Sequence, residues 1–116
     1  MRKNKAEKEN YLEKIPVHPQ SIKWTADEDG IVTLDIENKG FFKYLTQVLI
    51  KKPRVSHIHL DELGSFIWTC IDGERNLTEI GKELKEKFGD KAEPVYDRLT
   101  KYFRMLESYK FIEWNS

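Results

Sequence analysis

Hydrophobic side chains recur at helical spacing in the stretch that begins at Asp61 and ends at Gly73. Its apolar positions are Leu63, Phe66, Ile67, Cys70 and Ile71. This i, i+3, i+4, i+7, i+8 spacing predicts a helix with one buried face. Asp61 is suited to cap the helix because a carboxylate accepts hydrogen bonds from the free N–H groups of the first turn. Asp72 and Gly73 then predict a tight turn, since glycine adopts positive φ without steric cost.

Two more helices are predicted after this turn. Asn76 and Glu79 have the spacing of a capping box, and Gly89 is placed to end the helix that they begin. Pro94 suits the first turn of the last helix, where a missing N–H needs no partner. The apolar stripe of the last helix consists of Val95, Leu99, Tyr102, Phe103, Leu106 and Tyr109. Residues 111–114 predict a brief extended end that folds back onto the core.

Alternating apolar and polar positions predict three strands before the helices, at residues 21–25, 31–37 and 54–60. A turn signal at residues 27–30 joins the first two strands as a hairpin. Because successive side chains of a strand point to opposite faces, the third strand divides into two sets. One set is Ser56, Ile58 and Leu60, and the other is Val55, His57 and His59.

Two segments lie outside this regular pattern. We assign residues 1–19 to a charged N-terminal tail, in which Tyr11, Leu12 and Ile15 can dock its end on the domain. Residues 38–53 have apolar positions spaced for a short amphipathic helix with a basic end, so we predict a helical insertion there. Such a helix packs on its own domain more often than on a membrane surface.

The order of the elements predicts an α+β fold for residues 20–116. It consists of a three-stranded antiparallel sheet, with the insertion between the second and third strands, followed by a three-helix bundle. This order is winged helix-turn-helix-like, and domains of that kind often bind DNA. The chain of 116 residues is long enough for one such domain with one core.

The distribution of charge argues against nucleic acid as the partner. The 20 basic and 20 acidic side chains cancel overall, but residues 1–60 carry a net +3 and residues 61–116 a net −3. A negative three-helix half opposes contact with phosphates, so a DNA-binding regulator is the second choice. The sequence has neither a secretory signal pattern nor an apolar run near 18 residues, which predicts a cytoplasmic protein.

Catalytic and metal-binding patterns are weak. We find no nucleophile motif, Gly-rich phosphate loop or paired carboxylates on an apolar background, so we predict neither an enzyme nor a cofactor. Cys70 lies on the predicted apolar face, which favours an inert core thiol over a nucleophile. His57 and His59 can point the same way along a strand, but two ligands are too few for a closed metal site.

Two long segments resemble a known family. IHLDELGSFIWTCIDGERNLTEIGKELKEKFG and the later EPVYDRLTKYFRMLESYKFIE are similar to the PqqD family, which is related to pyrroloquinoline quinone synthesis protein D. The matching features are a strand ending at Leu60, the pair Ile67-Trp68, the turn at 71–73, the capped helix with Leu77 and Ile80, and the closing pair Phe111-Ile112. The resemblance covers about residues 20–114.

The resemblance implies a peptide-binding adaptor without catalytic activity. Such proteins hold the leader of a ribosomally made precursor peptide and present it, in the manner of a chaperone, to a modifying enzyme that is often a radical S-adenosylmethionine enzyme. The leader adds as a strand to an exposed sheet edge and lies against the last helix. The implied peptide site is Val55, Ser56, His57, Ile58 and His59 on the strand, with Arg98, Lys101, Tyr102 and Met105 on the helix.

The helix residues of this implied site have different chemistry. Arg98 and Lys101 suit acidic leader residues, whereas Tyr102 and Met105 suit apolar ones. Core packing of Tyr102 is an equally open reading. The resemblance implies no membrane or nucleic-acid partner, and a scaffold that uses residues 38–53 as its interface is a further alternative.

Overall fold

The computed structural model describes residues 10–37 and 55–115. Residues 1–9 of the predicted tail and the predicted insertion at 38–53 lie outside these ranges. The described strands are β1 Ile15–Val17, β2 Lys23–Ala26, β3 Val32–Glu37, β4 Val55–His59 and β5 Glu113–Asn115. The described helices are α1 Glu62–Cys70, α2 Leu77–Phe88 and α3 Val95–Ser108, with a 3₁₀ turn Gly89–Ala92 between the last two.

The strands form two separate antiparallel sheets. One sheet has the order β2-β3-β4, and the other consists of β1 and β5 alone. The α+β class and the antiparallel sheet are thus confirmed, but the strand pairing of β1 with β5 was not predicted. It joins Ile15 to Asn115 and Val17 to Glu113, across nearly the whole chain. The closer likeness to a winged helix stays a prediction.

The predicted starts of α1 and α2 are confirmed by the capping contacts, whereas Pro94 lies one position before the first turn of α3, as its N-cap. The Asp61 carboxylate accepts a hydrogen bond from the Gly64 N–H at 2.7 Å. Asn76 and Glu79 form a reciprocal capping box, with both side-chain to backbone hydrogen bonds at 2.9 Å. Gly73 has φ +81 in the turn between α1 and α2. These contacts involve residues at most three positions apart, so the sequence pattern determines them locally.

The buried face of α1 differs from the predicted one. Leu63 and Phe66 are only half-buried, whereas Ser65 and Trp68 are almost fully enclosed. Trp68 is covered because its ring stacks on that of His18, with ring centroids 4.2 Å apart. Helical spacing therefore predicted a buried face of α1 that is rotated toward α2 relative to the observed one. The spacing could not show that the segment after β1, which contains His18, also covers α1.

Residues 10–19 belong to the packed structure, although their composition resembles that of a tail. Tyr11 is 6% exposed, as its predicted docking requires. Its hydroxyl donates to Glu107 on α3 at 3.3 Å, and the Trp114 indole N–H donates to the same carboxylate at 3.2 Å. The Arg104 guanidinium lies 4.4 Å from the centroid of the Tyr11 ring. We call these four residues, together with Lys14 between the two rings, the terminal clasp.

Candidate functional site

Strand β4 lies at an edge of its sheet. Among the residues that the structure describes, it pairs with β3 alone. The Leu60 N–H donates to the Val32 carbonyl at 2.9 Å, which fixes the alternation of the ladder. Ile58 and Ser56 lie two and four positions before Leu60, so they also direct their backbone groups toward β3.

The other three residues of β4 direct their backbone groups away from β3. Val55, His57 and His59 lie at the alternate positions of the register, so their N–H and C=O groups point to the open side of the edge. Exposed edge groups of this kind can pair with an added strand. The structure thus provides a row of three residues with outward hydrogen-bonding groups along β4.

The two imidazoles of β4 lie on the outer face of the sheet. His57 Nδ1 is 2.7 Å from the Asp35 carboxylate, and His59 Nδ1 is 2.8 Å from the Thr33 hydroxyl. Both partners are on β3, so each histidine has its own cross-strand contact. Within the described ranges, no group of three or more His, Cys, Asp or Glu side chains is arranged to hold a metal ion.

Helix α3 crosses the inner face of this sheet in the direction opposite to β4. The Tyr102 hydroxyl donates to the Gly64 carbonyl at 3.0 Å, in the first turn of α1, which follows the His59 end of β4. At its other end, α3 leads into Tyr109, which lines a cavity together with Ile36 and Glu37. Those two residues pair with Ser56 and Val55, so the C-terminal end of α3 lies at the Val55 end of β4.

One flank of α3 carries a row of side chains along this path. Arg98, Tyr102, Met105 and Tyr109 have the spacing i, i+4, i+7, i+11, which places them on one helical flank. We call this row the edge flank. It is about 16 Å long at 1.5 Å per residue, and the five residues of β4 span about 14 Å from the first Cα to the last. The row and the strand are therefore similar in length.

The edge flank is unevenly buried. Met105 is 45% exposed and Tyr109 is 53% exposed, whereas Tyr102 is half-buried. Burial, with a smaller contribution from the nearby Asp61 charge, raises the pKa of Tyr102. These contacts fit the core-packing interpretation of Tyr102, because its ring packs against the core and its hydroxyl holds α1. Its role in a peptide groove stays a prediction.

The predicted cationic residues of the site are exposed. The Arg98 Nε–H donates to the Glu93 carbonyl at 3.1 Å. Lys101 lies beside it on the solvent side of α3. Arg104 is on the opposite flank, over the Tyr11 ring. The basic residues of α3 are thus divided between two flanks and do not form one face for phosphate contact.

A cavity of about 290 Å³ lies at the Val55 end of the sheet. Residues 21–22 before β2, 36–37 at the end of β3 and 109–111 after α3 line it. The sequence prediction missed these residues and was wrong in placing Tyr109 on the buried stripe. The helix ends at Ser108, and Lys110 has φ +64, so the chain turns before the core can cover Tyr109. In the sequence, Tyr109 is followed by the charged Lys110, and this pattern is too weak a signal to predict that Tyr109 is exposed.

Cys70 is a buried thiol at the end of α1. It is 4% exposed, and burial raises its pKa. Since the thiolate is the nucleophilic form, this environment suppresses the reactivity of the thiol. The core reading of Cys70 is confirmed.

The comparison with known protein families matches a range that includes β4 and α3. A family model described as coenzyme PQQ synthesis protein D (PqqD) matches residues 30–112. The chain is a member of the PqqD family. The matched range contains β3, β4 and the helices α1, α2 and α3, and therefore both sides of the candidate site, whereas β1, β2 and β5 lie outside it.

Neither a curated protein nor a solved structure gives a significant match to the chain. Across the two described ranges, no helix has the length and apolar character needed to cross a membrane. The family assignment thus rests on the PqqD match, and the candidate site rests on the geometry around β4.

Proposed function

We propose that this protein binds the leader of a ribosomally made precursor peptide and holds it for a modifying enzyme. Membership of the PqqD family supports the general role, a non-catalytic peptide-binding partner in peptide biosynthesis. The observation that carries the finer proposal is the row of outward backbone groups at Val55, His57 and His59. In this proposal the leader adds as a strand to β4.

The bound strand places alternate side chains on opposite faces of the extended sheet. Those on the inner face meet Ser56, Ile58 and the edge flank of α3, where Tyr102 and Met105 offer apolar contact. Arg98 and Lys101 attract acidic side chains at the rim. His57 and His59 contribute through their backbone, since their imidazoles lie on the other face against Asp35 and Thr33.

The protein accelerates modification by holding the peptide, with no bond made or broken by its own residues. Tethering a substrate beside an enzyme raises its effective concentration, and short flexible links reach the millimolar range. A radical S-adenosylmethionine enzyme is the partner that we propose. Specificity then resides in the leader, which leaves the modified part of the peptide free to enter the enzyme.

The test uses two substitutions at one position. His57→Pro removes the outward N–H, and proline is tolerated on an edge strand when its missing N–H faces away from the ladder. His57→Ala removes only the imidazole and its contact with Asp35. The ligand is a peptide selected against the full chain from a phage-displayed library of random twelve-residue sequences, titrated into ¹⁵N-labelled protein.

We expect the wild type to show shifts at residues 55–60 and in α3. His57→Ala should bind nearly as well, while His57→Pro should bind about five- to tenfold more weakly, because one hydrogen bond is worth about 1 kcal/mol. Circular dichroism checks that both variants are folded. The absence of any shift at residues 55–60 in the wild type would refute strand addition.

A further inference from the structure

We propose that the edge of β4 pairs with the same edge of a second copy of this chain, so that two three-stranded sheets become continuous. The inference goes beyond the proposed function, because it concerns contact between two copies and not a ligand. Only its last step, competition between the second copy and a bound strand, rests on the proposed strand addition.

The two edges of the sheet differ in how they are protected against strand pairing. Lysine, proline, bulges and short length are the features that usually block an exposed edge. The β2 edge has four residues and begins with Lys23. The β4 edge has five residues, VSHIH, and pairs with β3 through all of them without a bulge. Among the described strands of this sheet, β4 therefore has the edge that is open to another strand.

The β4 edge is symmetric about His57. The residues with outward backbone groups are Val55, His57 and His59, and His57 is the middle one. When two copies of β4 meet in antiparallel order, His57 lies opposite His57 of the second copy, and each Val55 lies opposite a His59. This register pairs the N–H and C=O groups of all three residues, whereas a shift by two positions leaves one residue unpaired. The two-fold axis through His57 closes the assembly at two copies.

The side chains on the outer face tolerate this register. Lys23 and Asp35 are cross-strand neighbours, and the Asp35 carboxylate is 2.7 Å from His57 Nδ1. The two His57 imidazoles meet at the axis, and each keeps the carboxylate of its own copy on its other side. His59, which lies 2.8 Å from the Thr33 hydroxyl, meets the apolar Val55. The register thus avoids the directly opposed like charges that destabilise a sheet.

The small size of the interface makes the pairing reversible. The ladder joins five residues of each copy, whereas each partner contributes about 20–30 residues to a stable interface. We therefore expect a dissociation constant of about 0.1–1 mM. A strand that adds to β4 needs the same outward N–H and C=O groups, so the second copy and a bound strand exclude each other.

Sedimentation equilibrium of the full chain measures the association. The mass should rise from 13.8 kDa toward twice that value as the concentration increases from about 10 µM to about 1 mM. His57→Pro removes one outward N–H from each copy, so the pair loses two hydrogen bonds. It should weaken association about 25- to 100-fold, the square of the effect of one hydrogen bond. His57→Ala is the matched control and should associate nearly as the wild type does.

Cysteine substitutions test the register. Directly opposite residues of a hydrogen-bonded pair have Cα atoms about 5.5 Å apart, within the roughly 4.4–6.8 Å that a disulfide spans. His57→Cys should therefore form a disulfide-linked pair about tenfold faster than Val55→Cys or His59→Cys alone. A mixture of the last two variants should cross-link as fast as His57→Cys, and intact mass identifies the mixed pair. The wild type, whose Cys70 is 4% exposed, should not cross-link.

The outcomes separate this inference from the proposed function. A mass that stays at 13.8 kDa up to about 1 mM, or equal cross-linking rates for the three single variants, would overturn the pairing and leave strand addition standing. A selected peptide that shifts residues 55–60 should also dissociate the pair, and shifts without dissociation would overturn pairing through β4. Pairing with the expected register, together with no peptide that shifts residues 55–60, would support this inference and refute the proposed function.

Discussion

The two flanks of α3 have opposite characters. On one flank, Glu107 accepts two side-chain hydrogen bonds and Arg104 lies over the Tyr11 ring, so the terminal clasp has a partner for each group. On the other, Met105 and Tyr109 are about half exposed. A single amphipathic helix thus serves the stability of the fold on one side and offers a surface on the other.

The same difference separates two tyrosines that contact α3 or its end. Tyr11 and Tyr109 contact the same helix or its end, yet one is 6% exposed and the other 53%. The family match covers the edge flank but excludes β1, β5 and most of the clasp. We infer that the clasp supports the fold of this chain, while the edge flank belongs to the part shared with the family.

The largest expected effect is on the clasp. Tyr11→Ala should lower the free energy of unfolding by about 3–5 kcal/mol, because it empties a buried aromatic site. Tyr109→Ala should change it by no more than about 0.5 kcal/mol, as for other surface substitutions. Urea denaturation of both variants measures the two values. Similar losses at the two positions would erase the distinction between the flanks.

A smaller effect is expected for one polar group of the clasp. Glu107→Ala removes the acceptor for Tyr11 and Trp114, and we expect a loss of about 1–3 kcal/mol. Met105→Ala, two residues earlier on the edge flank, is the matched control and should cost less than about 0.5 kcal/mol. A thermal melt of each variant measures the loss of stability. An equal loss for Met105→Ala and Glu107→Ala would contradict the difference between the two flanks.

Tyr102→Phe probes the contact that joins the edge flank to α1. Removing the hydroxyl should cost about 1 kcal/mol, because the Gly64 carbonyl loses its donor. Burial raises the pKa of Tyr102 above its ordinary value of 10.0 in the folded state. Above pH 10 the Tyr102 hydroxyl therefore ionises in the unfolded chain but not in the folded one, and the wild type loses stability. The cost of Tyr102→Phe should therefore shrink between pH 8 and pH 10.5 in urea titrations. A cost that grows with pH would contradict this assignment.

The smallest expected effect concerns His18, which joins the N-terminal segment to α1. Its Nε2 lies 2.9 Å from the Trp68 carbonyl, and burial lowers its pKa from 6.5. As pH falls, the imidazole of the unfolded chain is therefore protonated before that of the folded chain. The contribution of His18 to the free energy of unfolding is fully present above pH 6.5 and is lost as pH falls from 6.5 to the pKa of the folded state. His18→Gln keeps a donor for Trp68 but cannot titrate. The stability difference between wild type and variant should shift in favour of the variant from pH 7.5 to 5.5. A constant difference would show that His18 is not linked to folding.

Sequence patterns predicted the helices well because their signals are local. The caps at Asp61 and Asn76 and the turn at Gly73 depend on neighbours within a few residues. The strand alternation in β4 also separated Ser56 and Ile58 from His57 and His59. The resemblance to the PqqD family is confirmed as membership, whereas the peptide site that it implied on β4 and α3 stays a prediction.

Errors arose where distant segments meet. Trp68 is buried by His18, fifty positions away, and the face of α1 was accordingly misplaced. The β1–β5 pair and the clasp join the two ends of the described chain, and no local period encodes such a contact. The exposure of Tyr109 depends on the end of α3 at Ser108 and on the turn at Lys110, and residues from three segments line the cavity beside it.

Local chemistry in the chain was therefore sufficient for the kind, order and capping of the helices and for the inner and outer faces of the strands. Long-range packing assigned one flank of α3 to the clasp and left Met105 and Tyr109 about half exposed on the other. The physical reason is that caps and alternation depend on bonded neighbours, whereas exposure depends on every segment that packs nearby. The candidate binding surface is a property of exposure, so it emerged only once the whole fold was assembled.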